Sequence, residues 1–388
     1  MIYSKAEKIS KELISLRREF HRIPELELCE FKTSELICKH LEKMGISYKK
    51  CYKTGIAAVI EGKRGKGKTL LIRADMDALP IEELTEVAFK SENPGKMHAC
   101  GHDVHMTVLL GALKLLTLTG CDFYGNVKAV FQPAEEGDGG AEPMIKEGVM
   151  TFPDVDAAIA LHVEPLASYK TLQIKNGAVM ASPDDFRIKI VGKGGHGACP
   201  DKCINPIYTA SKLVTSLSDI VSDNFENPQS CVVSVCTFNS GTMNNIIPDY
   251  AEITGTARST DNETRTKIEI LIEDCIKKSC EKSGCTYEYR FRKLYPPVIN
   301  DEGMNKTVIG AAEKLGCFDE ICELEKPSMT GDDFSYFSQL VPSSYFKLGA
   351  GNDSICEPLH SAKFDIDERC IKRGTALIAQ AALDYLNN

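Results

Sequence analysis

Residues 97–105 constrain this chain more than any other stretch, because they hold four side chains of types that bind metal ions: His98, Cys100, His102 and His105. Cys100 supplies a thiolate, which can bridge two divalent cations, and His102 supplies a neutral imidazole. Gly101 lies between them and removes the side chain that would keep the backbone away from an ion. A lone cysteine–histidine pair more often belongs to a buried turn, but the density of ligand-type residues here indicates a metal site.

The other ligands of this site are expected far along the chain. A self-contained structural zinc site takes paired ligands from two knuckles, and no second Cys-x-x-Cys or His-x-x-x-His pair follows residue 105. Asp103 is predicted to be the N-cap of a helix over 104–118, which is an apolar, helix-forming run. Cys100 and His102 would then lie on the loop that leads into this helix.

Composition excludes several classes of protein. At 388 residues the chain is too long for one ordinary core, so two or three domains are expected. A net charge of −9 without a long basic run argues against nucleic acid as a partner. The sixteen cysteines are scattered singly, which indicates reduced thiols in a cytoplasm rather than a disulfide scaffold. The longest apolar stretch, 108–118, is shorter than the about 20 residues that cross a bilayer, so no membrane segment is expected.

Ligand-type residues also follow three of the predicted strands. Apolar runs and flanking turns predict strands over 55–61, 69–72, 126–132 and 157–161. Asp75 and Asp77 follow the second of these strands, Glu135 and Glu136 follow the third, and His162 follows the fourth. Ligands of open α/β sheets bind at the carboxyl ends of the strands, so these side chains are expected to meet. For Asp75, a surface turn is an alternative.

The two consecutive glutamates, Glu135 and Glu136, favour a division of roles. Adjacent residues in an extended chain point to opposite sides, so one carboxylate can bind a metal while the other faces its water. Acidic pairs are also common on solvated surfaces, which is the alternative for this pair taken alone.

A second domain is predicted as an insertion into the first. The elements follow the order β-α-β-β-α-β of a ferredoxin-like unit. They are predicted over 186–191, 205–221, 231–238, 250–256, 263–283 and 286–291. A glycine-rich turn over 192–197 holds His196, but no Gly-Lys-Ser/Thr follows it, so a phosphate-binding loop is rejected. The chain then continues with a helix over 302–315, a strand over 344–348, a loop that holds His360, and a helix over 367–386.

With these residues assembled, the chain resembles the peptidase family M20 amidohydrolases. The resemblance is strongest to the branch of N-acyl-amino-acid, hippurate and auxin-conjugate hydrolases that includes N-acetyl-diaminopimelate deacetylase. The matching motifs are residues 73–80, 100–103, 132–136, 161–163, 194–198, 245–248, 255–258 and 358–361. Each motif is short, but so many in one order, over nearly the whole chain, argue against coincidence.

The order of the elements sets the domain bounds, and the resemblance implies the fold class. Together they predict an α/β, mixed-sheet metallohydrolase catalytic domain over 1–182 and 294–388, with an inserted ferredoxin-like α+β dimerisation domain over 183–293. The resemblance also implies a homodimer formed through the inserted domain.

The resemblance further implies a binuclear site with two divalent metal ions per subunit, which could be zinc, manganese, nickel or cobalt. Cys100 would bridge the ions, His102 and His162 would bind one of them, and Glu136 and His360 would bind the other. A cluster of this kind lowers the pKa of bound water toward about 7.

Roles in catalysis and substrate binding are implied for further residues. Glu135 would be the general base, which takes a proton from water and passes it to the leaving amine. Asp77 would orient an imidazole, and His196 would stabilise the oxyanion in the partner's site. Asn245 and Arg258 match positions associated with polar groups of the substrate, and arginine suits a planar carboxylate.

Two positions depart from the family pattern. Asp332 stands where the branch more often has Glu, and Asn205 stands where an Asp often precedes the proline of the inserted helix. Neither residue is a proposed metal ligand, although the first could reshape the loop on the substrate side.

The sequence therefore predicts a cytoplasmic, metal-dependent hydrolase whose substrate is a small molecule. It would cleave the amide bond of N-acyl amino acids, for example N-acetyl amino acids, to a carboxylate and a free amino acid. A dipeptidase or aminopeptidase of the same fold is an alternative, although no clear acidic partner for a substrate ammonium is found. A catalytically silent metal-binding scaffold is a second alternative, which Glu135 disfavours because such a protein need not keep a base beside the ligands.

Overall fold

The computed structural model describes residues 2–388, which form two compact units. The larger unit comprises the chain up to Gly177 together with Ile299–Glu325 and Asp333–Asn388. The inserted unit comprises Ala178–Val298 and Lys326–Asp332. The predicted insertion, 183–293, lies within the inserted unit, which also takes in the later segment 326–332.

Helices and strands are numbered in chain order over both units. The helices are α1 (Ile2–Arg22), α2 (Phe31–Lys43), α3 (His102–Leu118), α4 (Ala141–Lys146), α5 (Pro206–Asn224), α6 (Asn262–Ser283), α7 (Glu302–Leu315), α8 (Ser335–Ser338) and α9 (Arg369–Leu386). The strands are β1 (Ser47–Lys50), β2 (Ile56–Glu61), β3 (Thr69–Asp75), β4 (Asn126–Gln132), β5 (Ala157–Ser168), β6 (Thr171–Ile174), β7 (Gly177–Met180), β8 (Ser182–Val191), β9 (Gly195–His196), β10 (Cys231–Ser240), β11 (Ile246–Ile247), β12 (Tyr250–Ser259), β13 (Thr286–Arg292), β14 (Val298–Asn300), β15 (Glu320–Glu323) and β16 (Ser343–Gly351).

The larger unit is built on a mixed sheet of eight strands. Their order is β1-β2-β4-β3-β5-β16-β6-β15. The four central strands, from β4 to β16, are mutually parallel, whereas β2 and β6 pair with this group antiparallel. The carboxyl ends of the central strands therefore meet at one edge, where the predicted strand-end residues lie.

Burial explains why these segments form the centre of the sheet. Every residue of β3 is buried, as expected for a parallel strand that is covered on both faces. Helix α3 is apolar on nearly all sides and packs against α1, α9 and β3. No helix within residues 2–388 has the length and apolar character that crossing a membrane requires.

The inserted unit has the predicted ferredoxin-like topology. Its antiparallel sheet has the order β10-β12-β8-β13, so the first and third strands of the β-α-β-β-α-β unit lie in the centre. Helices α5 and α6 contribute buried leucine and isoleucine side chains to a separate apolar core. Asn205 is the N-cap of α5, and its side chain accepts a hydrogen bond from the Ile207 amide. Since asparagine caps as well as aspartate does, the departure at this position keeps the capping role.

The predicted N-cap role of Asp103 is wrong. Helix α3 begins two residues earlier than predicted, at His102, with Gly101 in the left-handed region at the cap position. Asp103 is instead buried in the first turn, where Arg17 Nε donates to it over 2.8 Å and His21 Nδ1 lies 2.8 Å away. Burial opposes the charge of Asp103, but Arg17 and His21 outweigh it and hold the pKa of this carboxyl well below its usual range. This ion pair fixes the start of α3, and with it His102.

Candidate metal centre

The loop into α3 brings Cys100 and His102 against β5. Gly101 adopts a φ of +84°, and a Cβ on it would lie 2.4 Å from Val163 Cγ2. Both the backbone conformation and the close approach therefore require glycine at this position. The tight fit places Cys100 Sγ 3.4 Å from His162 Nε2. The strand predicted over 157–161 continues through His162 to Ser168, so this histidine lies within β5 rather than at its end.

The structure brings all the predicted metal ligands together in two groups that share Cys100. The first group is Cys100, His102 and His162, and all three residues are buried. The second group is Cys100, Glu136 and His360. Within each group the possible ligand atoms lie within 4.8 Å of one another. A thiolate common to two groups is the arrangement expected of a ligand that bridges two ions.

Hydrogen bonds fix which nitrogen each buried imidazole turns toward Cys100. Nδ1 of His102 lies 2.8 Å from the Asp77 carbonyl oxygen, and Nδ1 of His162 lies 2.8 Å from the Val163 carbonyl oxygen. A carbonyl only accepts, so in the neutral form of each ring Nδ1 carries the proton and Nε2 keeps its lone pair. Both lone pairs are therefore free to bind a metal, as in many metal sites with ordered histidines.

The donor set fits divalent cations. His102 Nε2 and Glu136 Oε1 are buried and make no hydrogen bond among the described residues, although such atoms are normally satisfied. His360 Nε2 lies 3.2 Å from Glu136 Oε1, but this contact is not a hydrogen bond. A thiolate, imidazoles and a carboxylate that all point to one place are the ligands preferred by zinc and other transition metals.

Charge in the cluster also favours cations. Burial, together with Glu136 and Glu135, raises the pKa of the Cys100 thiol well above its usual value. Burial alone would lower the pKa of His102, but Asp75 and Asp77 outweigh it and raise that pKa to about 10. Around Cys100 and His102 the centre thus stabilises positive charge, which divalent cations would supply in place of protons.

Comparison with known proteins identifies the family. The family model for Peptidase family M20/M25/M40 matches residues 71–384. The chain belongs to this family.

The M20 chain is similar over its whole length to enzymes with different names. It is 38% identical over 383 residues to thermostable carboxypeptidase 1 of Saccharolobus solfataricus, covering 97% of this chain and 95% of the relative. It is 38% identical over 382 residues to hippurate hydrolase of Campylobacter jejuni, covering 97% of each. A solved structure, the Bacillus subtilis YXEP protein, described as a dinuclear metal binding peptidase from the M20 family, matches with a TM-score of 0.87 at 31% identity, covering 98% of this chain and 99% of that one. The predicted family, fold class and hydrolase activity are confirmed.

In this M20 chain the two glutamates do not leave β4 in extended conformation, so the expectation of opposite faces is wrong. Ala134, just before them, has a φ of +56°, and the chain turns. Glu135 and Glu136 consequently both face His102, with possible ligand atoms within 4.8 Å of one another. Glu135 Oε2 lies 4.0 Å from His102 Nε2. The two carboxylates share one side of the centre.

Asp77 holds both glutamates and one imidazole. Its Oδ1 accepts from the Glu135 amide over 3.0 Å, and its Oδ2 accepts from the Glu136 amide over 2.9 Å. The predicted contact with an imidazole is made chiefly by the Asp77 backbone carbonyl, since Oδ1 is 3.4 Å from His102 Nδ1. One residue thus ties the turn after β4 to the start of α3.

Sequence reasoning did not predict the contacts of two buried carboxylates beside the ligands, Asp75 and Asp333. Asp75 is fully buried, so the surface-turn alternative is wrong, and its Oδ1 lies 2.6 Å from His105 Nδ1. Asp333 accepts from Arg73, Gln132 and the Gly140 amide. The position of His105 beside the ligands could have been predicted, because it follows His102 by three residues and side chains three residues apart share one face of a helix. No local pattern indicated the position of Asp333, since its partners lie far away in sequence.

The predicted catalytic and substrate residues of the inserted unit are found in two places. His196 is exposed on β9 and pairs with Ile246, next to the exposed Asn245. The Gly197 amide donates to the Asn245 carbonyl over 2.8 Å, so these two predicted residues are neighbours. Arg258 lies on β12 opposite Val232 and is half-buried. Asp332 is buried.

Proposed function

We propose that this chain cleaves the amide bond of N-acyl amino acids, such as N-acetyl amino acids, to a carboxylate and a free amino acid, with two divalent metal ions per subunit. The observation that carries the proposal is the shared position of Cys100 between two ligand groups, with the separate carboxylate Glu135 beside them. A silent scaffold would gain nothing from such a carboxylate.

In this proposal each residue of the centre has a distinct task. Cys100 with His102 and His162 would hold one ion, and Cys100 with Glu136 and His360 would hold the other. When bound, such ions polarise an amide carbonyl and make water acidic enough to ionise near pH 7. Zinc, manganese, nickel and cobalt all suit these ligands.

Glu135 moves the proton. Its carboxylate accepts a proton from the attacking water and then donates it to the amine nitrogen as the carbon–nitrogen bond breaks. Asp77 keeps Glu135 in place through the backbone amide. Arg258 and Asn245 are proposed to bind the polar groups of the substrate, and a guanidinium can pair with an amino-acid carboxylate in a bidentate manner.

A peptidase activity is the second candidate, because two relatives are named thermostable carboxypeptidases. A carboxypeptidase and an N-acyl-amino-acid hydrolase both cleave an amide that precedes a free carboxylate, so the same centre serves both. An aminopeptidase or dipeptidase additionally has to bind a substrate ammonium.

Release assays separate these candidates. The purified protein, loaded in turn with each of the four metals, is offered acetyl, benzoyl and indoleacetyl amino acids, dipeptides with a free amine, and N-blocked peptides. We expect the N-acyl amino acids to be cleaved fastest, and a chelator to abolish the activity. Faster cleavage of free dipeptides, or activity that survives removal of the metal, would contradict the proposal.

The inserted unit is proposed to form a homodimer. Strand β10 is an edge of its four-stranded sheet and is half-buried or exposed along most of its length. Pairing of two such edges satisfies backbone groups and fixes a twofold symmetry. In such a dimer His196 would donate to the substrate oxyanion in the partner's site, an interaction that contributes about 3–4 kcal/mol in known cases.

Mixing of inactive variants tests the role of His196. Glu135→Gln and His196→Ala subunits are allowed to exchange, and we expect activity to reappear, because one site of a mixed dimer then carries both lesions and the other carries none. The control mixes Glu135→Gln with Glu136→Gln, whose lesions lie in the same unit, and should stay inactive. If His196 acts within its own chain, the first mixture stays inactive too.

The cytoplasmic location remains a prediction from the sequence.

A further inference from the structure

Strand β5 loses one of its two neighbouring strands just before His162, which is its proposed metal ligand. Strand β3 pairs with β5 in parallel from Ala157 to Ala160 and goes no further. Beyond this point, only β16 continues to pair with β5. The backbone of β5 around His162 therefore lies at a gap in the sheet, where buried polar groups need other partners.

His105 fills this gap. The Val163 amide donates to His105 Nε2 over 2.9 Å, and His105 Nδ1 lies 2.6 Å from Asp75 Oδ1. Because Nε2 accepts, Nδ1 has to carry the only ring proton and donate it to Asp75. The other oxygen of Asp75 accepts from Arg73 over 2.6 Å, so this carboxylate is held in turn.

Residue Val163 also contacts the proposed ligands themselves. Its carbonyl accepts from His162 Nδ1, which turns Nε2 of that histidine toward Cys100. Its side chain lies where a Cβ on Gly101 would have to be. A shift of this one residue would therefore move His162 and disturb the backbone between Cys100 and His102.

We propose that His105 is a positioning residue, which orients His162 for metal binding by accepting the hydrogen bond of the Val163 amide. The inference rests on the proposed role of His162 as a metal ligand. Asp75 selects the tautomer that makes His105 an acceptor, so the chain of contacts runs from Asp75 through His105 and Val163 to His162.

The same contacts distinguish the positioning role of His105 from two other roles, that of a metal ligand and that of a side chain that only packs. Asp75, His102 and His105 have possible ligand atoms within 4.8 Å of one another and could be taken for a metal site. Yet both ring nitrogens of His105 are used, one as a donor and one as an acceptor. A packing role alone would not require a particular nitrogen to accept, and that difference can be tested.

Two substitutions by amide side chains test the roles of His105 Nδ1 and Nε2 separately. The side chain of His105→Gln reaches about as far as Nε2 and can still accept from the Val163 amide, but no longer donates as Nδ1 does. The side chain of His105→Asn reaches only about as far as Nδ1, so it can still donate to Asp75 but offers Val163 no acceptor. The two variants are similar in polarity and both lose the ring, so they are matched controls for each other.

The experiment measures metal binding without using activity. Affinity for Co²⁺ is measured by competition with a chelator, and the absorption bands of bound Co²⁺ report the ligand set. We expect His105→Asn to bind about 10–100-fold more weakly with altered bands, as for other residues that orient ligands, and His105→Gln to stay within about threefold of wild type. Equal losses in both variants, or none in His105→Asn, would overturn the proposal.

A third variant, Asp75→Asn, keeps the test decisive if His105→Gln does not fold. Asp75→Asn can donate to His105 Nδ1 and so favour the wrong tautomer, whose Nε2 proton would face the Val163 amide. We expect the same weakening of Co²⁺ binding as in His105→Asn, and unchanged affinity would contradict the inference. Wild-type protein that binds no Co²⁺ would instead refute the proposed metal centre, so the two failures are distinguishable.

Discussion

Glu135→Gln is expected to lower turnover by about 10²- to 10⁴-fold while bound metal and the unfolding temperature stay at wild-type values. The amide has nearly the shape of the carboxylate, but it cannot accept the proton of the attacking water. Asp77 would still hold the backbone amide of residue 135, so the turn after β4 should keep its conformation. Steady-state kinetics and metal analysis on the same preparation measure the two effects separately.

The neighbouring glutamate is the matched control for this substitution. Glu136→Gln makes the same chemical change one residue further on, and its carboxylate belongs to the ligand group with Cys100 and His360. We expect Glu136→Gln to lose metal affinity together with activity. A Glu135→Gln enzyme with near wild-type turnover, or one that loses its metal, would show that the base is a different residue.

The second large effect is expected for Cys100→Ala, which should lose most of the bound metal at both positions. Cys100 belongs to both ligand groups, so its removal takes one ligand from each ion at once. Alanine also leaves space beside His162 Nε2, which lies 3.4 Å from the sulfur atom. Metal content after dialysis, measured by elemental analysis, gives the stoichiometry directly.

Cys38→Ala provides the control, because Cys38 and Cys100 have the same exposed fraction, 7%, and both lie in the larger unit. Cys38 lies on α2 and belongs to neither ligand group. This variant should therefore keep its metals and most of its activity. Wild-type metal content in Cys100→Ala would refute the assignment of Cys100 as a bridging ligand.

Local patterns in the sequence predicted much of the fold and most of the centre. Strand β4 and helix α7 have the bounds that their apolar periodicity and flanking residues indicated, and the inserted unit has the predicted order of elements. The dense motif and the strand ends marked four candidate ligands without knowledge of the fold, namely Cys100, His102, Glu136 and His162. His360 lies in a loop, and only the family resemblance indicated it.

What local patterns could not show depends on contacts between distant residues. Asp103 looked like a helix cap, since an aspartate before an apolar run usually is one, but Arg17 from α1 draws it into a buried ion pair. The turn between β4 and Glu135 depends on a positive φ at Ala134, which no local signal indicates at an alanine. For Asp75 a surface turn stayed an alternative to the site until Arg73 and His105 were placed around it.

The discontinuity of the larger unit also matters while the protein is being made. Strand β5 ends at Ser168, but its partner β16 begins only at Ser343. At about 5–20 residues per second, roughly nine to thirty-five seconds of translation separate the two strands. During this interval the segment Ala178–Val298 is synthesised in full, whereas the apolar edge of β5 has no strand to pair with. Open edges of this kind associate with other chains, so the nascent polypeptide needs cover from the ribosome or a chaperone until β16 emerges, and a ribosome that stalls between the two strands leaves an aggregation-prone fragment.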